Sequence, residues 1–261
     1  MTFGSEESGR LAGDYDRFVD WGKRLEREAP FFRLLFAEHG IRSIIDVGCG
    51  TGRHAALFAS WGLDVTGVDP DPTMLEQARA FARGQGSAAK FAEGGFGGLA
   101  ELGLPPADAV TCTGNALPHV DGLAGLRAAV RDFAAVLRPG GVVVLHLLNH
   151  DRLLGRQLRS IPPVVREDDE GTWVFLRVMD YVEDGIRFDF ATLHRPAGGW
   201  EADVPWEVSS RRSLHTALPS SVLAGELGAA GFGDVRFFGD HAGKEFDAAA
   251  DESVIVTAVR G

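Results

Sequence analysis

The run Ile44-Ile45-Asp46-Val47-Gly48-Cys49-Gly50-Thr51-Gly52 constrains the fold of this chain more than any other stretch. A short apolar strand runs into three glycines at alternate positions, and a helix follows from Arg53 to Trp61. Glycines there let the backbone pass close to a ligand at a helix N-terminus, where N–H groups have no partner within the helix. The next strand, Asp64 to Val68, ends in an acid, Asp69. A carboxylate at that strand end accepts both hydroxyls of a ribose. Glycine spacing alone also suits a tight strand-to-helix turn, so it is the pairing with Asp69 that points to an adenosine-bearing ligand. Glycine is in excess overall: 34 of 261 residues, about 13% against roughly 7% in average usage.

Strand and helix go on alternating. Asp71 suits an N-cap and Pro72 a first helical position, with Met74, Leu75, Ala78, Phe81 and Ala82 on one face of the helix that follows. Strands are expected at Ala88–Ala92 and Asp108–Thr113, and a helix at Gly122–Leu137 that stops at Arg138-Pro139-Gly140-Gly141. Val142 to Leu148 reads as a strand buried on both faces. Such alternation means right-handed βαβ units and a mostly parallel sheet. Upstream, Asp16 to His39 reads as a helix broken near Pro30 and then a shorter one ending at Gly40. Downstream the period changes. Trp173–Val182 and Ile186–Leu193 flank Glu183-Asp184-Gly185 as a hairpin, and a third strand is expected around Val204–Thr216, after the Arg195–Gly199 loop. A helix near Pro219–Ala230 and strands at Asp234–Phe238 and Ser253–Val259 close the chain. The expected organisation is one domain over 1–261, with an N-terminal helical cap (1–40) and an antiparallel β insertion (162–217) acting as a lid.

Charge and composition narrow the partners. Lys+Arg is 26 and Asp+Glu 37, a net charge of −11, which gives no general attraction to phosphate backbones or anionic membranes. Arg211-Arg212 is too small a basic patch for a nucleic-acid footprint. No apolar run is long enough to span a bilayer, and the polar, acidic N-terminus is no signal peptide. Two cysteines, Cys49 and Cys112, suit a reduced, cytoplasmic setting. The acidic run Glu167-Asp168-Asp169-Glu170 reads as a solvated loop.

With these residues in place, DVGCGTG followed by GVDP resembles motif I and the acidic ribose site of class I S-adenosylmethionine-dependent methyltransferases, and LRPGGVVVL (137–145) resembles their turn into the fifth strand. The resemblance implies a Rossmann-like α/β sheet of seven strands, order 3-2-1-4-5-7-6 with strand 7 antiparallel, and S-adenosyl-L-methionine as cofactor. A dinucleotide-binding fold instead favours Gly or Ala where this chain has Arg53. Thr113-Gly114-Asn115-Ala116-Leu117-Pro118-His119 and Leu148-Asn149-His150-Asp151 are similar to segments of glycine N-methyltransferase-like enzymes, as are Tyr15-Asp16, Trp21 and Arg24 near the N-terminus. His150 stands where that group has a tyrosine, and Leu147-Leu148 where it has His-Arg.

The resemblance implies cofactor contacts from Tyr15, Trp21, Arg24, Asp46, Gly48, Cys49, Gly50, Thr51, Gly52, Asp69, Pro70, Met74, Gly95, Phe96, Gly114 and Asn115. Gly94-Gly95-Phe96 corresponds to the adenine segment, with Gly95 in place of the usual acid. His119, Asn149 and His150 follow strands four and five, on the rim where open α/β sheets bind ligands, and are the catalytic or acceptor-contact candidates. His146 reads as a core histidine, and His39, His54 and His241 have no metal-ligand spacing, so no metal is expected. The N/D-P-P-Y pattern is missing after strand four, and no glutamate occurs between Glu101 and Glu167, which disfavours nucleic-acid and protein-arginine acceptors. The expected acceptor is a small molecule, most simply an amine. O-methylation, or a non-catalytic module binding the cofactor or its demethylated product, are the alternatives. Monomer and homodimer stay open.

Overall fold

The computed structural model describes residues 15–198 and 204–261; residues 1–14 of the expected cap and Gly199 of the expected loop lie outside them. The elements in chain order are α1 (Trp21–Glu38), β1 (Ser43–Val47), α2 (Arg53–Ser60), β2 (Asp64–Asp69), α3 (Pro72–Gly84), β3 (Lys90–Glu93), β4 (Ala107–Cys112), α4 (Gly122–Val136) and β5 (Leu137–Leu148). They continue with α5 (His150–Arg156), β6 (Ser160–Asp168), β7 (Gly171–Val182), β8 (Gly185–Pro196), β9 (Glu207–His215), α6 (Ser220–Ala229), β10 (Phe232–Phe238) and β11 (Ser253–Arg260).

Seven strands form one sheet in the order β3-β2-β1-β4-β5-β11-β10. Counted within that sheet, this is the expected 3-2-1-4-5-7-6, with β11 antiparallel to both β5 and β10. Alternating side chains divide the core between the two faces, as a period of two requires. Ile45, Val143 and Leu145 join the cluster under α4 and α6, whereas Ile44, Val142 and Val144 join the cluster with Phe32, Phe36 and Phe58 under α1 and α2. Phe32, Phe58 and Phe133 are fully buried, and truncating such a side chain to Ala costs about 3–5 kcal/mol.

A second sheet, β6-β7-β8-β9, is antiparallel throughout and spans 160–215. Its β7–β8 hairpin turns at Glu183-Asp184, as the Asp-Gly signal implies. Its fourth strand, β6, was not anticipated, because Pro162-Pro163 argues against a strand. The prolines are tolerated on an edge strand, where the register shifts between Ile161 and Val164. The acidic run is likewise not a free loop. Glu167 and Asp168 end β6, and Asp168 accepts Arg17 Nε–H (3.1 Å) and Trp173 Nε1–H (3.1 Å).

Two further differences concern helices. α1 is continuous through Pro30 instead of broken there. Proline removes one helical hydrogen bond, but Phe32 and Phe36 just beyond it are buried against Phe58, so packing carries the helix through. After β5 the chain forms α5, a helix not expected from the sequence, with Asn149 as its N-cap. The second sheet is fastened to the first where Thr216 N–H donates to Pro118 O (2.8 Å) and Thr216 Oγ1–H to Val120 O (2.6 Å). α5 packs beneath it through Leu153, Met179, Ile186 and Phe188.

Candidate active site

Gly48, Gly50 and Gly52 all have positive φ, of 69°, 53° and 75°. A side chain would be strained there, and at two of the three it would also collide. A Cβ on Gly48 would lie 2.6 Å from Ala116 Cβ, and one on Gly52 2.9 Å from Ala78 and Phe91. The loop is held from below by Asp69, whose Oδ2 accepts Gly50 N–H (2.8 Å) and whose Oδ1 accepts Asp71 N–H (3.0 Å). An ionised carboxylate has about four lone-pair directions, so Asp69 keeps acceptor capacity for a ribose. Burial raises its carboxyl above the ordinary value, against the two backbone hydrogen bonds. Pro70 and Gly95 face each other across the exits of β2 and β3, and half-buried Met74 follows on α3.

Asp46 sits one residue before the end of β1 and is buried. Its Oδ1 accepts Thr111 Oγ1–H at 2.7 Å, while Oδ2 is buried with no partner among the described residues. Desolvation pushes its carboxyl upward.

The N-terminal segment closes over this loop. Residues 15–18 are helical, and Asp16 accepts from Trp21 Nε1 (2.8 Å), Thr51 Oγ1 (2.8 Å) and Arg53 Nη2 (2.6 Å). Tyr15 Oη and the Arg24 guanidinium approach Gly114 from above, within 3.0 and 3.9 Å of where a Cβ would stand. Burial raises the Tyr15 hydroxyl, partly offset by the Arg24 charge and hydrogen bond. Arg24 Nε–H donates to Glu28 Oε1 (2.9 Å), leaving Nη2 buried without a partner among the described residues. A polar ligand with a carboxylate at one end and a ribose at the other fits this arrangement: an orphaned guanidinium N–H at one side, Asp69 at the other, and glycine backbone between.

Several expected contacts are redirected. The Cys49 thiol turns toward Gly67, 2.9 Å from where its Cβ would lie, and burial raises it well above its ordinary value. The Thr51 hydroxyl is spent on Asp16, and Trp21 presents its N–H to the same carboxylate. Phe96 packs edge-on against Phe133 (centroids 6.2 Å) and stays half-buried.

On the far side, Asn115 has φ 67° and its Oδ1 accepts Leu148 N–H (2.9 Å), tying the exits of β4 and β5 together. Asn149 and His150, the expected acceptor contacts, are both buried; the Asn149 amide is committed to backbone, which corrects its expected place at an acceptor, whereas His150 keeps Nε2 without a partner among the described residues. Asn149 is buried, accepts Arg152 N–H as the cap of α5 and donates Nδ2–H to Ala248 O and Asp251 O. His150 is fully buried, and its Nδ1 accepts Leu218 N–H at 2.8 Å. Burial lowers its imidazole to about 4.

His119 lies on the turn Leu117–His119, exposed, with its ring centroid 4.4 Å from that of His215 at the end of β9. Crowding by surrounding protein, then the Arg211 charge, lowers the His119 imidazole. His215 is buried between His119 and Phe188 (4.3 Å), 3.2 Å from Ser213 Oγ and 3.5 Å from Asn115 Nδ2. Desolvation, then the neighbouring histidines, lowers it to about 2. Sequence reasoning passed over His215, since a histidine closing an edge strand carries no motif.

The other omission is Glu28, fully buried on α1. Its Oε2 accepts His54 Nε2–H (2.7 Å), and the other His54 nitrogen lies 3.2 Å from Thr113 Oγ1. Burial opposes the Glu28 charge, but His54 and Arg24 hold its carboxyl far below the ordinary value. Only its spacing of four residues from Arg24 was visible beforehand.

Comparison with known proteins agrees with this geometry. Residues 44–141 match the family described as a methyltransferase domain. The glycine/sarcosine N-methyltransferase of Parasynechococcus marenigrum is 36% identical over 140 residues, covering 54% of this chain and 50% of that protein. Human glycine N-methyltransferase is 30% identical over 144 residues, 46% of this chain and 45% of its own. The chain thus spans about half the length of the curated relatives it matches. Among solved structures, an S-adenosylmethionine-dependent methyltransferase from Clostridium acetobutylicum superposes with TM-score 0.77 at 16% identity, covering 97% and 99% of the two chains. The sugar N-methyltransferase KedS8 of a Streptoalloteichus species gives 0.72 at 23% identity, covering 100% and 94%.

Proposed function

We propose that this chain, which carries a class I S-adenosyl-L-methionine-dependent methyltransferase domain, methylates the amine nitrogen of a small molecule in the cleft between the glycine loop and the four-stranded sheet. The observation that carries the acceptor side is the His119–His215 pair. It lies where the second sheet meets the turn after β4, and both imidazoles are biased toward the neutral form. S-adenosyl-L-methionine, when bound, supplies a methyl group on a sulfonium, which an amine lone pair displaces in line.

The residues on both sides then have distinct tasks. Asp69 accepts the ribose hydroxyls, Gly48, Gly50 and Gly52 bring backbone N–H groups close, and Arg24 with Tyr15 and Gly114 takes the methionine end. Thr51 and Trp21 act through Asp16, by holding the cap over the loop. An acceptor amine arrives protonated at neutral pH, and its lone pair is freed when His119 takes the proton; a neutral imidazole is suited to that. His215 packs against His119 and limits its orientation. The four-stranded sheet covers the cleft as a lid, so that the reacting atoms meet out of water.

Two groups of relatives support an amine acceptor: those named glycine or sarcosine N-methyltransferases, and two fold neighbours, one described as an amino pentose methyltransferase and one as a sugar N-methyltransferase. The net charge of −11 agrees with a small or cationic acceptor over a polyanion. Among the described residues, no helix is long and apolar enough to cross a membrane.

The test is a transfer assay with labelled S-adenosyl-L-methionine over glycine, sarcosine, amino sugars, phenols and carboxylates, read by product mass. A methyl gain on an amine is the expected result. Transfer only to phenols or carboxylates would replace N- by O-methylation. Tight cofactor binding with no acceptor methylated would instead favour a binding module.

A further inference from the structure

Among the described residues Glu28 is the only buried glutamate, and it lies on a cap helix rather than at a strand exit. Its Oε1 also faces His146 Nδ1 (4.0 Å) and His241 Nε2 (3.9 Å), both buried without partners among the described residues. Three such atoms invite a metal ion. Tetrahedral zinc, with bonds of 2.0–2.1 Å, sets its ligand atoms about 3.4 Å apart, and these atoms stand wider. The same oxygen already accepts Arg24 Nε–H, whose positive charge opposes a second cation. The cluster therefore does not have the form of a metal centre.

What it does have is a chain of contacts. An ionised carboxylate only accepts hydrogen bonds. Glu28 therefore accepts His54 Nε2–H, and the other ring nitrogen of His54 stands 3.2 Å from Thr113 Oγ1. Thr113 precedes Gly114, the residue that Tyr15 and Arg24 approach from the opposite side. Glu28 thus reaches the same spot twice: through Arg24 from the cap, and through His54 and Thr113 from the exit of β4. With Nε bonded to Glu28 and a further hydrogen bond made to Tyr15, the planar guanidinium is held in place, and among the described residues Nη2 is the nitrogen left without a partner for a ligand.

We infer that Glu28 is a positioning residue for the methionine end of the cofactor, fixing Arg24 and the Thr113–Gly114 turn about the ligand's carboxylate. This rests on the reading that the glycine loop binds S-adenosyl-L-methionine. Glu28→Gln keeps the shape but removes the charge, so Arg24 loses its ion pair and the His54 side meets a donor in place of an acceptor.

Binding, measured by calorimetry, separates this from a general structural role. The two ligands are S-adenosylhomocysteine and 5′-methylthioadenosine, which lacks the amino-acid end. E28Q is expected to bind S-adenosylhomocysteine at least about tenfold more weakly, and 5′-methylthioadenosine within about twofold of the parent, because only the former presents a carboxylate to Arg24. Arg24→Met should give the same pattern, and adding E28Q to R24M should cause a smaller loss than E28Q causes alone, since residues that share a contact are not additive. Equal weakening toward both ligands, unchanged binding of both, or fully additive losses would each overturn the inference. So would stoichiometric zinc retained by the parent through dialysis and lost in E28Q, because Glu28 would then be a ligand. If the parent protein binds neither nucleoside, the cofactor reading itself fails.

Discussion

The two sheets of this protein fix the residues at their edges by different means. On the parallel sheet, position is set by backbone. Gly48 and Gly52 have positive φ in places too tight for a Cβ, and Asp69 grips the Gly50 N–H. On the antiparallel sheet, position is set by side chains, with His215, Phe188 and Met179 spaced along long strands and docked by Thr216. A backbone-built site is written in a few adjacent residues and tolerates little change. A side-chain-built site is dispersed, and its strands can carry different residues without altering the fold.

Acidification should produce the largest effect, and it probes both regions at once. His146 (about 3) and His241 (about 4) flank the cap, while His150 (about 4) and His215 (about 2) lie under the second sheet, all lowered first by burial. An unfolded histidine titrates near about 6.5. Between that pH and the folded values the unfolded chain binds more protons, so stability is fully present above about pH 6.5 and falls as pH drops toward about 4. By pH 5.5 each group removes about 1.4 kcal/mol, on the order of 5 in total. Urea melts at pH 7.5 and 5.5 measure the loss. His241→Asn and His215→Asn should each flatten it, and a slope unmoved by either change would break the comparison.

Next in size is Gly48→Val, expected to cost about 3 kcal/mol or more by combining a strained φ with a collision at Ala116. Chemical denaturation reads this, together with loss of S-adenosylhomocysteine binding. His119→Ala, on an exposed turn, should fold normally and lower kcat about 100-fold while leaving S-adenosylhomocysteine affinity within about twofold. Kinetics with the identified amine test this; a loss confined to cofactor binding would move His119 to the other half of the site. The smallest effect is expected at Gly198, which shares a positive φ of 80° but has open space where a Cβ would stand. Gly198→Ala should cost about 1 kcal/mol. Were it as damaging as Gly48→Val, crowding would not be what distinguishes the two loops.

This contrast also explains what could be read from the chain beforehand. Asp46 to Gly52 and Asp69 are local in sequence; strand and helix alternation gives the mostly parallel sheet, and the 3-2-1-4-5-7-6 order comes from the family resemblance. Glu28, His54, His146 and His241 converge from four separate elements or loops, and no spacing announces that. Pro162-Pro163 concealed an edge strand, and Pro30 suggested a break that aromatic packing overrides. Asn149 sits at the rim in sequence, but its role as an N-cap commits its amide to backbone. Phe96 is assigned by motif position, and its half-buried ring packs edge-on against Phe133. Motif position fixes where the backbone goes, and local packing decides where the side chain points.

Residues 15–18 belong to neither sheet and are gripped by both. Asp16 is bonded to Thr51 and Arg53 on the glycine-loop side. Arg17 pairs with Asp168 and Glu170, and the Phe18 ring packs on Phe175 and Phe190, on the other. This one turn of helix works like a shared dowel between two boards. Trimming the amino end past Phe18 is therefore no cosmetic shortening, since it would remove a single peg and loosen two joints at once.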